Sequence, residues 1–153
     1  MEKSHMTNGL FSSRSDEWET PWNLFNQLNA EFHFTTDVCA TPQNKKCTHF
    51  YTKEEDGLKQ CWKGNCWMNP PYGRVIKNWV EKAYKATLED AETVVCLLPA
   101  RTDTAWWHEF VIPHASEIRF LRGRVKFSNA KAGAPFPSAI VVFKRIKQGE
   151  KTL

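Results

Sequence analysis

The sequence predicts an α/β fold in which a mostly parallel sheet carries helices on both faces. Segments of strand composition alternate along the chain with segments of helical periodicity, which is typical of parallel α/β sheets. One segment, "TVVCLLP" (93–99), is a continuous apolar run of the kind found in a parallel strand covered on both faces. The last two predicted strands have no helical pattern between them, so we expect an antiparallel strand at the C-terminal end.

The first two elements are a short helix and a strand. In "TPWNLFNQLNAEF" (20–32), Thr20 is a plausible N-cap and Pro21 stands at the first helical position, with apolar residues following at helical spacing. "FHFTTDV" (32–38) then alternates and is rich in β-branched and aromatic residues. We expect this strand to end at Asp37.

The remaining elements follow from the same two periodicities. A second apolar stretch, "NCWMNPP" (65–71), must end at Pro70 because proline cannot donate to a strand ladder. From Val75 to Leu88 the apolar residues recur at the i, i+3, i+4, i+7 spacing of an amphipathic helix. The other predicted elements are a helix capped by Asp103 or Thr104 and ending at Phe110, and strands over 117–121 and 138–143.

Length and composition indicate one globular domain. The chain has 153 residues, and we expect a single domain over 15–145, a flexible segment over 1–14 and a basic flexible tail over 146–153. No apolar run is long enough to cross a bilayer and no secretory signal is visible, so we expect a protein of the cytoplasm that needs no membrane. The net charge of +4 favours an anionic partner only weakly.

The cysteines predict neither a disulfide framework nor a metal site. Five cysteines are an odd number, and a reducing compartment keeps thiols free. Cys47, His49, Cys61 and Cys66 invite a zinc hypothesis, but the chain contains no C-x-x-C pair. We therefore expect buried free thiols and no metal.

The motif that offers the most functional groups for catalysis is "NPPY", Asn69 to Tyr72. Asn69 and Pro70 each precede a proline, so both are held in extended conformations in a stiff turn. In an open α/β sheet, ligands bind at the carboxyl ends of the strands, where this turn is expected. The Asn69 side-chain oxygen and the backbone carbonyls can accept hydrogen bonds from an NH₂ group, and Tyr72 offers an aromatic face for stacking.

This arrangement suits the methylation of a conjugated amino group. The lone pair of such a nitrogen is delocalised, and acceptors for its two protons would favour tetrahedral geometry and free that pair. The electrophile required is a methyl sulfonium. The simpler alternative is a proline-stiffened loop without a catalytic role, since N-P and P-P are common loop punctuation.

The ordered series of motifs resembles the phage-type DNA N6-adenine methyltransferase family. It runs from about Asp16 to Phe143 and comprises "WETPWNLFNQLNAEF", "DVCATPQNKKC", "DGLKQCW", "NPPYGR", "LLPARTDTAWWH" and "FLRGRVKF...APFPSAIVVF". The resemblance implies a Rossmann-like methyltransferase fold, S-adenosylmethionine as cofactor, double-stranded DNA as partner and a phage or prophage origin. It gives the catalytic role to Asn69, Pro70, Pro71 and Tyr72.

The resemblance also implies the cofactor site. A segment before the first helix closes over the methionine end of the cofactor, Asp37 meets the methionine ammonium, and Asp56 accepts from the adenine amino group. "DVCAT" departs from a glycine-rich loop, because Cys39 and Ala40 stand where many methyltransferases have glycine. The implied cofactor-binding residues are Trp18, Thr20, Pro21, Asp37, Ala40 and Asp56. For Thr20 a helix cap, and for Asp56 a solvated acidic loop, remain alternatives.

A duplex hides its bases, so an enzyme of this family is expected to flip the adenine into the pocket. The residues expected to contact DNA are Arg74, Arg101, Arg122, Arg124 and Lys126. For each arginine taken alone, a surface charge or a local salt bridge is the simpler alternative. Target choice is expected to come from the loop over Gly123 to Pro137. Adjacent Trp106 and Trp107 cannot face the same way, so one is expected to line a site.

Three further functions fit the same residues. The NPPY chemistry also suits adenine in RNA or the side-chain amide of a protein glutamine. A third alternative is a catalytically decayed DNA-binding module, which the Cys39-Ala40 departure keeps open. The target sequence and the oligomeric state are not predicted.

Overall fold

A computed structural model describes residues 17–146 of the chain. The predicted flexible segment 1–14, and all of the predicted tail 146–153 except Ile146, lie outside this range. The elements are α1 (Trp22–Phe32), β1 (Thr36–Asp37), β2 (His49–Phe50), a 3₁₀ turn (Gly57–Lys59), β3 (Gly64–Met68), α2 (Ile76–Thr87), β4 (Ala91–Pro99), a π-helical turn (Trp107–Val111), α3 (Ile112–His114), β5 (Glu117–Phe120) and β6 (Ser138–Lys144).

The strands form one six-stranded mixed sheet in the order β2-β1-β3-β4-β6-β5. β1 pairs in parallel with β2 and β3, and β3 pairs in parallel with β4. β6 lies between β4 and β5 and is antiparallel to both. The predicted antiparallel C-terminal strand is therefore confirmed.

Side-chain alternation along the strands shows that the helices cover both faces. Cys66, Val94 and Phe143 are register partners and so share one face, where Tyr84 of α2 packs 6.2 Å from Phe143 between ring centroids. Trp67, one residue along β3, points to the opposite face and meets Phe25 of α1 at 5.5 Å. The predicted α/β architecture is therefore confirmed.

The core lies between these layers. β4 is buried from Val94 to Pro99, as the continuous apolar run "TVVCLLP" predicted. The predicted periodic face of α2 is buried along the helix, including Trp79 and Val80, whereas Val75 and Leu88, at the two ends of the predicted segment, are exposed and lie outside the helix. All five cysteines are free thiols. Within residues 17–146 no helix is long and apolar enough to span a membrane.

The start of α1 differs from the prediction. The helix begins at Trp22, its N-cap residue is Pro21, and no side chain caps it. Thr20 is thus not the N-cap, and Pro21 stands one position before the first helical residue. The physical reason lies across the molecule, because the Thr20 hydroxyl accepts a hydrogen bond from Asn69 Nδ2 at 2.9 Å.

Two other predicted elements have different forms. The first strand ends at Asp37 as expected but comprises only Thr36–Asp37, because α1 extends to Phe32 and its C-cap residue His33 has a left-handed φ of 53°. The helix expected to end at Phe110 becomes a π-helical turn followed by α3. Pro113 lies in α3 and lacks the N–H that a regular α-helix would donate to Glu109.

Candidate active site

The carboxyl ends of β1, β3 and β4 meet at one edge of the sheet because these strands run in the same direction. Asp37 ends β1, Asn69 follows β3 and Arg101 lies two residues beyond β4. A cavity of about 640 Å³ opens at this edge, a volume usual for a cofactor site. The sheet topology thus brings together polar side chains that are far apart in the sequence.

Most of the residues predicted to bind a cofactor or to act in catalysis line this cavity: Trp18, Thr20, Asp37, Ala40, Asp56, Asn69, Pro70 and Pro71. Pro21 does not line it, since it caps α1. Tyr72 also does not line it. Residues that sequence reasoning missed include Glu19, Asn44, Lys46, Tyr51 and Trp67.

Asn69 is held in one orientation by the chain segment before α1. Its Nδ2 donates to the Trp18 carbonyl and to the Thr20 hydroxyl. A carbonyl can only accept, so the amide nitrogen must be the atom that faces Trp18, and Oδ1 must point the other way. Oδ1 is buried and has no hydrogen-bond partner in the described part of the chain, a property it shares there with Ser138 Oγ.

A buried acceptor without a hydrogen-bond partner is energetically unfavourable. Leaving a buried polar atom unpaired costs about 1–3 kcal/mol, so native proteins do so rarely and often at functional sites. A group that donates a hydrogen bond to Oδ1 would remove this cost. The unpaired Asn69 Oδ1 can therefore accept a hydrogen bond from an N–H group that reaches it.

The loop between β5 and β6 also forms hydrogen bonds to the segment before α1. The Asn129 side chain accepts from the Glu19 backbone N–H at 3.0 Å and donates to the Glu17 carbonyl at 3.0 Å. The Ser128 backbone N–H donates to the Glu19 carbonyl at 2.8 Å. The loop between β5 and β6 is therefore joined to the segment that orients Asn69. The sequence predicted a role in target choice for this loop, but no local pattern indicated these hydrogen bonds.

Asp37 is a buried carboxylate on the cavity wall. It is 3% exposed and accepts the backbone N–H groups of Cys39, at 3.2 Å, and of Lys46, at 3.0 Å. Burial raises its pKa to about 7, and these two hydrogen bonds oppose the shift. A cation bound beside Asp37 would favour its charged form. This carboxylate therefore suits a positively charged ligand group.

Asp56 lies in a turn whose backbone packs closely against the residue that follows β1. Its Oδ1 accepts from the Leu58 N–H at 3.1 Å and so caps the 3₁₀ turn. The next residue, Gly57, lies so close to β1 that an added Cβ would stand 2.1 Å from the Val38 carbonyl oxygen. Asp56 is thus a half-buried residue of the cavity wall, and its contact with the cofactor adenine stays a prediction.

Tyr72 differs from the predicted stacking platform. Its ring is 2% exposed, lies 5.6 Å from Phe136 and 6.5 Å from Phe127 between centroids, and its hydroxyl donates to the Leu97 carbonyl at 3.0 Å. Burial raises the pKa of this hydroxyl above its ordinary value. Trp18 completes the aromatic cluster, 5.3 Å from each phenylalanine. The structure therefore places Tyr72 within this cluster and leaves it no open face on the cavity.

The residues predicted to contact DNA are all exposed: Arg74, Arg101, Arg122, Arg124 and Lys126. None lines the cavity. They follow the carboxyl ends of β3, β4 and β5, so they lie at the edge of the sheet that carries the cavity. The Arg101 guanidinium lies 5.4 Å from the Phe136 ring centroid, and Arg124 Nη1 donates to the Ala134 carbonyl at 3.4 Å.

The adjacent tryptophans, one of which was expected to line a site, are both buried. Trp106 and Trp107 are 8% and 1% exposed, and neither lines the cavity. Trp107 Nε1 donates to the Pro99 carbonyl at 3.1 Å, which fixes the π-helical turn against β4. Among residues 17–146 no group of three or more His, Cys, Asp or Glu side chains is arranged to hold a metal ion.

Comparison with known proteins shows the family of the chain. The model of the DNA N-6-adenine-methyltransferase (Dam) family matches residues 7–152. The chain belongs to this family. The DNA N-6-adenine-methyltransferase of Haemophilus phage HP1 is 34% identical over 125 residues, which cover 79% of this chain and 71% of that protein. The Dam-family match confirms the resemblance drawn from the ordered motifs.

Two further proteins are similar to the chain. The DNA N-6-adenine-methyltransferase of Escherichia phage T1 is 30% identical over 158 residues, covering 88% of this chain and 65% of that protein. A solved structure described as a proposed RNA methyltransferase from Pyrococcus horikoshii is 16% identical, with a TM-score of 0.47, over 65% of this chain and 52% of that one.

Proposed function

We propose that the chain transfers a methyl group from S-adenosylmethionine to the N6 amino group of adenine in double-stranded DNA, in the cytoplasm of a bacterial host. The observation that carries this proposal is the buried, unpartnered Oδ1 of Asn69, a residue that lines the cavity and whose amide nitrogen is held by hydrogen bonds to Trp18 and Thr20. Membership of the Dam family supports adenine in DNA as the substrate.

The cavity fits the chemical groups of the cofactor. Asp37, whose pKa burial raises to about 7, suits the methionine ammonium, and Asp56 lies on the same wall as a hydrogen-bond acceptor for the adenine amino group. Ala40 leaves room for the backbone to approach the ligand, as glycine does in other methyltransferases. When bound, S-adenosylmethionine supplies an electrophilic methyl group on a sulfonium.

Asn69 and Pro70 act on the target amino group. We assign Asn69 Oδ1 and the Pro70 carbonyl as acceptors for its two N–H groups, which favours a tetrahedral nitrogen with an available lone pair. Both acceptors are preorganised, because Asn69 is held by two hydrogen bonds and Pro71 restricts the backbone of Pro70. Such preorganisation stabilises developing charge without reorganisation during the reaction.

Stacking of Tyr72 on the extruded adenine remains part of the proposal but requires a movement. In the structure the ring is enclosed by Phe127 and Phe136, so stacking requires these rings to separate from it. The exposed arginines and Lys126 supply phosphate contacts at the same edge of the sheet. Asn129 lies in the same loop as both phenylalanines and joins this loop to the segment that orients Asn69.

The test is methyl transfer to three substrates with methyl-labelled S-adenosylmethionine. Duplex DNA, RNA of the same sequence and a glutamine-containing peptide are incubated separately, and the products are digested and identified by mass spectrometry. The proposal predicts N6-methyladenine from DNA, and its loss with Asn69→Ala. Label found only in the RNA or only in the peptide would show that DNA is not the substrate. Calorimetry that detects DNA binding but no cofactor binding would favour a decayed DNA-binding module.

A further inference from the structure

Lys46 is a partly buried cation on the cavity wall. Its backbone N–H donates to Asp37 Oδ2 at 3.0 Å, its Nζ donates to the Asn44 carbonyl at 3.2 Å, and its ammonium lies 4.3 Å from the centroid of the Trp22 ring. Asn44 is itself fixed by a hydrogen bond from the Thr41 N–H to its Oδ1 at 2.7 Å. The ammonium is therefore placed by a built turn and an aromatic surface.

The charge of Lys46 has no counter-ion in the described part of the chain. The ion pairs found among residues 17–146 involve Lys85, Arg119 and Arg145. Burial lowers the pKa of Lys46, while the carboxylates of Asp37 and Glu19 oppose this shift from a distance. An ammonium has three N–H donors, and the Asn44 carbonyl uses one. The other two donors are available to an anionic ligand of the cavity that Lys46 lines.

The neighbourhood of Asp37 restricts which anion this is. A lone anion would be repelled by the buried Asp37 carboxylate, which is hydrogen-bonded to the Lys46 backbone. A ligand that carries an ammonium and a carboxylate on one carbon satisfies both residues. An amino-acid end has this charge pattern.

We propose that Lys46 binds the α-carboxylate of the cofactor's methionine end, next to Asp37 at the ammonium. This inference rests on the proposed function, since it deepens the assignment of the same cavity. It makes Lys46 a residue that distinguishes S-adenosylmethionine from nucleosides lacking the carboxylate. Lys53 also lines the cavity but is exposed, so it provides a matched control.

The test compares two ligands that differ only in the carboxylate. Isothermal titration calorimetry measures the affinity of S-adenosylmethionine and of its decarboxylated analogue, which keeps the ammonium and the sulfonium. The variants are Lys46→Met, which keeps an unbranched side chain over Trp22, Lys46→Arg, which keeps the charge, and the control Lys53→Met. Thermal unfolding verifies that each variant is folded.

Wild-type protein is expected to prefer S-adenosylmethionine, and Lys46→Met to lose roughly 10- to 100-fold in affinity for it, the usual value of a charge-assisted hydrogen bond. Affinity for the decarboxylated analogue should stay unchanged in Lys46→Met, and Lys46→Arg should restore much of the preference. The inference is overturned if Lys46→Met weakens both ligands equally, or if Lys53→Met removes the preference instead. Wild-type protein that binds neither ligand would reject the proposed function as well.

Discussion

Replacing Asn69 by aspartate tests the orientation of this side chain through stability alone. In the structure, Nδ2 donates to the Trp18 carbonyl and to the Thr20 hydroxyl. Asn69→Asp puts an oxygen in place of this nitrogen with almost no change in size. A carboxylate cannot donate, so at neutral pH an anion would face a carbonyl that can only accept.

The magnitude follows from the groups affected. The Thr20 hydroxyl can turn and donate to the new oxygen, but the bond to the Trp18 carbonyl is lost at about 0.5–1.5 kcal/mol, and the acceptors left facing each other add about 1–3 kcal/mol, for a total of roughly 1.5–4.5 kcal/mol at pH 8. Once protonated, the introduced carboxyl group could again donate to Trp18, so the folded variant holds this proton more tightly than the unfolded chain. The folded-state pKa is thus raised, and stability is retained at low pH and lost as pH rises through that pKa.

The assay is urea denaturation of wild type, Asn69→Asp and Asn69→Ala at pH 5 and pH 8. Differences from wild type cancel the titration of Asp37 common to all three. Asn69→Asp should be more destabilised at pH 8 than at pH 5, whereas Asn69→Ala, which introduces no titratable group, should show the same deficit at both. Equal deficits for the aspartate variant at the two pH values would refute the assigned orientation.

Three other changes test the walls of the site. Gly57→Ala brings a Cβ to 2.1 Å from the Val38 carbonyl oxygen and should lower the free energy of unfolding by about 3 kcal/mol, the upper range for overpacking; wild-type stability in urea would disprove this contact. Asn129→Ala removes two hydrogen bonds to the segment that orients Asn69, so stability should fall by about 1–3 kcal/mol and turnover should fall with it; unchanged turnover in folded variant protein would remove Asn129 from the site. Because burial raises the pKa of Asp37 to about 7, cofactor affinity measured by calorimetry should fall roughly tenfold per pH unit below pH 7, as the carboxylate needed by a cation is protonated. Asp37→Asn should flatten this profile, and a wild-type profile that is already flat would contradict the role of Asp37.

Periodicity predicted the parts of the fold in which one pattern dominates. The amphipathic α2 and the apolar β4 were predicted because each extends over many residues and buries one face or both. β2, with only two residues, carries too short a pattern to be found. The π-helical turn was predicted as an ordinary helix because the fixing bond from Trp107 to Pro99 is tertiary.

The residues of the candidate site likewise divide into those with a local sequence pattern and those placed by distant contacts. Asn69 was predicted because it follows a strand within a proline-stiffened turn, and Asp37 because the family resemblance gives a role to the acidic residue at the end of the first strand. Asn129 was missed because its partner Glu17 lies 112 positions away, and a polar loop residue gives no local sign of such a contact. Thr20 was predicted as a possible helix cap, since capping is the local use of a threonine before a helix, whereas its hydroxyl contacts Asn69. Tyr72 was expected to be open, and its burial depends on Phe127 and Phe136 from a distant loop.

The most direct test of the account is the rate of methyl transfer by Asn69→Ala in a single turnover. Wild type and variant are saturated with labelled cofactor, mixed with duplex DNA and quenched over time, at a temperature at which both are folded. Cofactor affinity is measured in parallel by calorimetry. Loss of a preorganised acceptor should slow transfer by roughly 10²–10³-fold while cofactor affinity changes by less than about threefold. A variant that transfers methyl groups at the wild-type rate would contradict the role given to the buried Asn69 oxygen.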